Sequence, residues 1–332
     1  MSTAVVILNF NGKHHLSTFL PSVVMFSEQA EIWLADNGSH DDSIEFIEDN
    51  YPNIKLLKLK TNSGFAGGYN AALKGIAADN YILLNSDVEV TEYWLPPLIS
   101  QLDQNNLAAC QPKILSFSNK EYFEYAGAAG GFLDKWGYPF CRGRIFDTCE
   151  KDEGQYNDSK VIFWATGACL AIKSKVFHEL GGFDERFFAH MEEIDLCWRI
   201  NNTGLSINYV PASEVYHLGG GTLNKSNPKK TFLNYRNSLA MMVKNLPVIV
   251  IFPKLIIRLA LDGISCVKFL TEGNWQDCLA IIKAHFSFYG MIPYLIGKSK
   301  GYKRSSLKLY PKSIVWEYFI KGKQTYSELD HD

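Results

Sequence analysis

Between residues 4 and 85, short runs of aliphatic and β-branched residues alternate with segments of helical period, and each run ends in turn residues. Strands are predicted at 4–8, 31–35, 54–59 and 81–85, with helices over 13–26, 41–50 and 66–78 between them. A run as apolar as Val5-Val6-Ile7-Leu8 suits a strand covered on both faces, the situation of a parallel sheet between two helical layers. This order points to a doubly wound α/β fold. Such sheets bind ligands in the crevice outside the carboxyl ends of their strands. The residues just past each run are therefore the first candidates for function.

The 332 residues are 47% hydrophobic, enough for one large domain or for a domain with an appendage. A net charge of −2 gives no general field for nucleic acid, which is excluded as a partner class. Seven cysteines, widely spaced and without a CxxC pair, fit free thiols in a reducing compartment. Met1-Ser2-Thr3 leads directly into the first strand, with no basic segment or long apolar stretch before it, so a cytoplasmic protein is expected. No internal repeat or low-complexity linker is present. Over 116–155 the pattern breaks into aromatic, glycine and charged residues, and a long loop excursion is expected there.

The first strand-to-helix turn reads Asn9-Phe10-Asn11-Gly12, which is not the GxGxxG of a dinucleotide fold. A glycine cluster instead precedes the third helix, in Asn62-Ser63-Gly64-Phe65-Ala66-Gly67-Gly68. Small residues there would let backbone N–H groups approach a phosphate or base, or would serve close helix packing. Asp36-Asn37 follows the second strand, where a carboxylate can accept from a pyrimidine ring N–H or a ribose hydroxyl, or can simply stabilise a turn. Asn85-Ser86-Asp87 ends the most apolar strand. Asp87 can hold a hard divalent cation, Asn85 adds at best a neutral carbonyl, and an Asx turn is the plain alternative. His217 follows another apolar stretch and could complete a cation shell or meet phosphate, although a strand-end histidine is commonly only polar surface.

The densest segment runs from Trp164, Gly167 and Ala168 to Gly181-Gly182 and on to Glu192-Glu193-Ile194-Asp195. On a helix Glu192 and Asp195 share a face, and Glu193 points about 100° away from Glu192. Acids in a first turn suit the helix dipole, but three of them after paired glycines and several aromatics suit a sugar pocket with a general base.

Beyond residue 240 the character changes. The stretch 246–253 is apolar but too short and too proline-bounded to span a bilayer. Lys254, Arg258, Asp262, Ser265 and Lys268 then form one polar stripe on an otherwise apolar helix, and a second apolar helix is predicted over 275–289. Lys298, Lys300, Lys303, Arg304, Lys308 and Lys312 follow with no acid among them. This pattern suits inner-leaflet membrane contact through 246–312, or a hairpin packed on the rest of the chain or on a second copy in a homodimer.

Taken together, 5–12, 36–43, 62–70, 83–90, 181–199 and Tyr235-Arg236-Asn237 resemble the family 2 inverting glycosyltransferases of GT-A fold, and within them the rhamnosyltransferase-like branch. The resemblance covers roughly the first 240 residues. It implies a mostly parallel central sheet flanked by helices, with a GT-A catalytic domain over 1–240, divided near 115 into a nucleotide-sugar half and an acceptor half. A helical, amphipathic extension with a basic tail would occupy 241–332.

By the same resemblance Asp36 recognises the base, with Asn9, Asn11 and Asn37 lining its pocket. Asn62, Gly64 and Phe65 form a second nucleotide-side loop, and Asn85 and Ser86 stand beside it. Asp87 matches the last residue of a metal-binding DxD, and His217 matches a histidine that helps hold Mg²⁺ or Mn²⁺. Glu193 is the first choice for catalytic base, with Glu192 and Asp195 beside it, while Trp164, Gly167 and Ala168 border donor sugar and acceptor. Asn85 replaces the first Asp of the DxD, and Glu193 replaces an Asp. The implied reaction moves a sugar from a nucleotide-diphosphate donor, dTDP-rhamnose or a UDP-hexose, to a glycan or polyprenyl-linked glycan in cell-surface polysaccharide synthesis. Two other classes stand beside it. A catalytically inactive sugar-binding scaffold is disfavoured by the intact acids, and a sugar nucleotidyltransferase by the lack of a basic, glycine-rich loop at 9–12.

Overall fold

A computed structural model describes residues 1–219, 227–299 and 309–329. The alternation begins with β1 (Thr3–Asn9), α1 (Lys13–Phe26), β2 (Glu31–Asp36), α2 (Ser43–Asn50), β3 (Lys55–Lys58), α3 (Gly64–Leu73) and β4 (Asn80–Asn85). These strands pair in parallel in the order β3-β2-β1-β4. Register places Asn9 beside Asp36, and Leu8 beside Asn85, so the three strand ends form one edge.

Both faces of β1 are covered, which is why its sequence is uninterrupted by polar residues. Val5 and Ile7 pack with Leu16, Leu20 and Val23 of α1 on one side. Ala4 and Val6 pack with Ala66, Tyr69 and Leu73 of α3 on the other. Polar Tyr69 is tolerated at this depth because its hydroxyl donates to Leu84 O at 3.1 Å.

The chain continues through β5 (Val88–Val90), α4 (Leu95–Leu102) and β6 (Leu107–Ser116) into β7 (Gly131–Leu133), β8 (Pro139–Cys141), β9 (Arg144–Ile145) and β10 (Thr148–Cys149). Next come β11 (Lys160–Ile162), β12 (Cys169–Lys173), α5 (Ser174–Glu179), α6 (Glu192–Thr203) and β13 (Ser206–His217). Among the described residues the central sheet runs β11-β13-β6-β12-β4-β1-β2-β3, with β5 paired to β13. It is parallel through β4 and mixed beyond, where β12 lies antiparallel to both β4 and β6.

The expected loop excursion over 116–155 is corrected. Strands β7 to β10 form a small antiparallel sheet, and Phe123, Leu133, Phe140 and Ile145 from this stretch are buried in the main core. Strands of two or three residues separated by positive-φ glycines, such as Gly137 and Gly143, are too short to leave a period-two pattern.

Three long helices follow, α7 (Pro228–Asn245), α8 (Val248–Thr271) and α9 (Trp275–Ser299), and then α10 (Ile314–Phe319). The last stretch returns to the small sheet. Tyr310 N donates to Leu133 O at 2.8 Å, and Ile314 N to the buried Asp134 carboxylate at 2.9 Å. Lys300, Lys303, Arg304 and Lys308 of the predicted basic tail lie outside the described residues. Cys266 and Cys278 are joined in a disulfide that clamps α8 to α9, contrary to the expectation of free thiols throughout. Cys110, Cys141, Cys169 and Cys197 are buried thiols.

Candidate active site

Amide side chains knit the strand-end loops together. Asp36 is 1% exposed, and its Oδ1 accepts from Asn9 Nδ2 at 3.1 Å and from Ser39 Oγ at 2.5 Å. Its Oδ2 accepts from Ser39 N at 2.9 Å. Asn37 reaches the other way, donating to Asn62 Oδ1 at 3.1 Å and to Gly64 O at 3.0 Å. Asn11 takes φ of 50° and accepts from His40 N at 2.7 Å. Asn9, Asp36 and Asn37 are thus buried behind the crevice, and the more open surface belongs to Asn11, Asn62, Asn85 and Ser86. The sequence placed all of these together and could not tell the front rank from the back.

Gly64 joins these loops to the segment that precedes α6. It holds φ of +75°, and a Cβ there would overlap Phe188 O and its ring. Ala66 N donates to the same carbonyl at 3.2 Å. Phe65 stacks edge-on with Tyr69, at 4.7 Å between centroids, and Gly167 leaves the room its ring needs. Ala168 is buried, its carbonyl accepting from Asn85 N at 3.0 Å. Trp164 is turned inward, 3% exposed, with its indole N–H on Phe132 O at 2.9 Å. Its ring lies against Gly131, so it supports the wall from behind.

The approach to α6 is strained. Phe188, His190 and Met191 all have positive φ, between 67° and 72°. Non-glycine residues persist in this region only where their surroundings hold them. The restraint comes from α7. Asn237 Nδ2 faces the carbonyls of Phe187, Ala189 and His190 at 2.9, 3.0 and 2.7 Å, and Arg236 donates to Arg186 O and Phe187 O at 3.0 and 3.1 Å.

At the start of α6 thus held, Glu192 is 3% exposed and Glu193 is half-buried. The Oε2 atoms of both are out of water without a hydrogen-bond partner. Burial raises both carboxyls, Glu193 to about 7, and the neighbouring Glu193 adds to the upward push on Glu192. Asp195 differs from both. It is completely buried, with Oδ2 2.9 Å from Arg199 Nε and 2.8 Å from Lys244 Nζ, and with Oδ1 accepting from Asn245 at 2.8 Å. Burial pushes its carboxyl up, but Lys244 and Arg199 outweigh that and hold it low. This moves Asp195 from the candidate catalytic set into the framework that fixes α6 on α7.

His217, at the end of β13, lies between two carboxylates. Nε2 is 3.2 Å from Asp87 Oδ1 and Nδ1 is 3.1 Å from Glu124 Oε2. The Asn85 amide nitrogen stands 3.4 Å from the same Nε2. Burial opposes charge on the imidazole, yet the two carboxylates raise it to about 10.

Two residues escaped the sequence reading. Glu124 sat in what looked like a loop. His190 carries a buried, unpartnered Nε2 beside the paired glutamates, and burial lowers it to about 4, so its imidazole is neutral. A histidine two positions before the paired acids was the available signal.

The family model described as "Glycosyl transferase family 2" matches residues 4–181, over half of the chain. The chain belongs to glycosyl transferase family 2. An N-acetylglucosaminyl-diphospho-decaprenol L-rhamnosyltransferase of Mycobacterium tuberculosis is 26% identical over 230 residues, covering 64% of this chain and 75% of that protein. Rhamnosyltransferase WbbL of Escherichia coli is 28% identical over 157 residues, covering 47% of this chain and 59% of its own length. Among solved structures, the mannosyltransferase PcManGT of Pyrobaculum calidifontis, in complex with GDP-Man and Mn²⁺, superposes with a TM-score of 0.53 over 86% of each chain at 11% identity. GalNAc-T7 with UDP, GalNAc and Mn²⁺ gives 0.54 at 20% identity, over 65% of this chain and 43% of that one. The fold is the GT-A glycosyltransferase fold.

Both of those structures hold Mn²⁺, and the residues of this family 2 chain fit a divalent cation in part. Asp87 offers a hard oxygen, and His217 would have to give up its Nε2 proton to offer a nitrogen, with Glu124 across the ring then orienting it as a metal-binding histidine. Among the described residues no third acid, cysteine or histidine joins them as a ligand set.

Proposed function

We propose that this family 2 enzyme is an inverting hexosyltransferase that carries a sugar from a nucleoside-diphosphate donor to a hydroxyl of a polyprenyl-linked glycan, in cell-surface polysaccharide synthesis at the cytoplasmic face of the membrane. The observation that carries the reading is the pair Glu192 and Glu193. Each keeps a buried, unpartnered Oε2, at a strained helix start, next to the nucleotide-side loops through Gly64. A carboxylate raised to about 7 is suited to take a proton in neutral solution.

In this reading residues 1–240 form the catalytic domain, with the donor in the half before residue 115 and the acceptor in the half after it, and 241–332 form the extension. Asn11, Asn62, Asn85 and Ser86 meet the nucleotide, while Asn9, Asp36 and Asn37 set the loops that present them. Phe65, Gly167 and Ala168 form the wall near the sugar. Glu193 takes the proton from the acceptor hydroxyl as its oxygen attacks the anomeric carbon, and Glu192 and His190 shape the dry pocket around that proton. Asp87 and His217 would hold Mg²⁺ or Mn²⁺, which supplies positive charge for the departing diphosphate. The names of the two rhamnosyltransferase relatives support dTDP-rhamnose as first donor, with a UDP-hexose next, and the decaprenyl diphosphate in one name supports the lipid-linked acceptor.

The test is nucleoside diphosphate release from a panel of nucleotide sugars, with N-acetylglucosaminyl-diphospho-polyprenol as acceptor. Transfer from dTDP-rhamnose is expected. Failure of every donor to react, together with no thermal shift by any nucleoside diphosphate, would leave the inactive scaffold as the better reading.

A further inference from the structure

An amphipathic helix on a water-soluble surface turns its apolar stripe to the core and its polar stripe to solvent. Helix α8 does the reverse. Lys254 donates to Lys135 O. Arg258 is 2% exposed, donates to Trp136 O and Ser238 Oγ at 2.9 Å each, and lies over the Tyr138 ring at 3.8 Å. Asp262 is completely buried, accepts from Tyr138 OH at 3.3 Å and sits 3.0 Å from His285 Nε2 of α9. The stretch of the stripe from Lys254 through Arg258 and Asp262 is therefore the inner face and its buried charges have partners, while Lys268 at the far end is exposed and pairs with Glu272. The outer face carries Ile249, Phe252, Ile256, Ile264, Val267 and Leu270, of which Ile249 is 86% and Phe252 70% exposed.

Helix α9 extends this apolar surface with Trp275, 59% exposed, and Phe286, 72% exposed. Over Trp275–Lys298 it is long and apolar enough to cross a membrane by length and composition alone. Its other side is occupied, however. Ile281, Ala284, Phe288 and Leu295 are buried, and Asp277 accepts from Thr231 Oγ1 of α7 at 2.5 Å. A helix committed to α7 along one side cannot offer its whole circumference to lipid, so the hairpin is built to lie on an apolar medium.

We infer that the outer face of the α8–α9 hairpin is a docking surface for an anionic phospholipid membrane, entered to the depth of the side chains and not spanned. Charge decides between this occupant and a second copy of the chain. The sequence from Lys298 to Lys312 carries six basic residues and no acid, beginning where α9 ends. Anionic headgroups complement that excess, whereas a second copy would bring more of the same sign. Tryptophan at the turn between the helices also suits the headgroup boundary.

The seat is coupled to the chemistry. Tyr294 of α9 donates to Asp184 at 3.0 Å, and Arg186 lies over its ring at 3.7 Å. Both partners belong to the segment leading to Glu192, so docking would fix the candidate base relative to the bilayer. The inference rests on the proposed function for its purpose, a lipid-linked acceptor, and its test does not.

The test is flotation of the full chain with phosphatidylglycerol-containing vesicles and with pure phosphatidylcholine vesicles, without any sugar substrate. Strong binding to the first and weak, salt-insensitive binding to the second is expected. The double variant Phe252→Glu, Ile256→Glu should reduce anionic-vesicle binding roughly tenfold or more, with an unchanged circular dichroism spectrum. Phe286→Glu provides a second, independent change on α9. Failure of the native chain to float with anionic vesicles overturns the inference, as does a native dimer that the same substitutions convert to monomer. Failure of donor turnover in a vesicle-bound protein would instead strike the proposed reaction.

Discussion

The strand-end loops and the start of α6 touch through Gly64, and they are built in opposite ways. In the loops, Asp36 has donors on both oxygens and Asn37 bridges Asn62 and Gly64, so these polar groups are satisfied within the protein, with Asn9 Oδ1 the exception. At α6, two glutamates keep unpartnered buried oxygens after three residues in the left-handed region. A binding surface gains from being preorganised, whereas a proton acceptor must remain unsatisfied until substrate arrives. The contrast supports the proposed division of labour, recognition in the first region and chemistry in the second.

The sharpest way to break that assignment is Glu193→Gln. Removing a positioned general base costs about 10²–10⁴-fold in rate, and this variant is expected to lose that much turnover while keeping the thermal shift produced by nucleoside diphosphate. Turnover in the native enzyme should also climb as pH rises toward about 7, where Glu193 becomes ionised, and level off above it. Normal turnover in the variant, or a flat profile in the native enzyme, would remove Glu193 from the role.

Lys244→Met asks whether Asp195 belongs to the framework. It leaves Asp195 and Asp184 facing an uncharged side chain at a site where Lys244 is 2.8 Å from each. Breaking a buried pair in this way costs ~3–5 kcal/mol, so a large loss of stability in urea is expected. A stable variant with greatly reduced kcat would return Asp195 to the catalytic set.

Gly64→Ala tests the junction. Forcing a side chain into this conformation costs about 1–3 kcal/mol, and the new Cβ must also displace Phe188. Stability and turnover should fall together, because the nucleotide loop and the approach to α6 share this contact. A variant that loses stability alone would show that the two regions work independently.

Much of the first region could be read from residue order, and much of the second could not. Strands buried on both faces, such as β1, announce themselves by an unbroken apolar run. Their ends then locate Asn9, Asp36 and Asn85 without any structure. The small sheet β7 to β10 hid behind its brevity, and Glu124 with it. Spacing placed Glu192 and Asp195 on one helix face, but Asp195 is set apart by Lys244, 49 residues away, and no local pattern encodes that contact. The α8 stripe was visible as a stripe. Its direction was not, because the usual rule turns polar residues outward and here their partners on 135–138 and α7 draw them in.

The smallest expected effect distinguishes electrostatic stress from ordinary burial at Glu192. Its carboxyl is raised well above the ordinary range in the folded chain, by burial and by Glu193, whereas in the unfolded chain it ionises near ~4.3. Below that pH both states hold the proton, and the group's contribution to stability is fully present. As pH rises the unfolded chain releases its proton first, so stability drains away until the folded carboxyl ionises as well. Glutamine keeps the shape and cannot ionise. Glu192→Gln should therefore match the native melting temperature at pH 4 and exceed it at pH 8 by about 1–2 °C, the shift ~1 kcal/mol produces in a chain of this size. An equal difference at both pH values would mean that packing, not charge, separates the two proteins. A lower melting temperature at pH 8 would mean that the ionised Glu192 is compensated, and the start of α6 would then be as satisfied as the loops it faces.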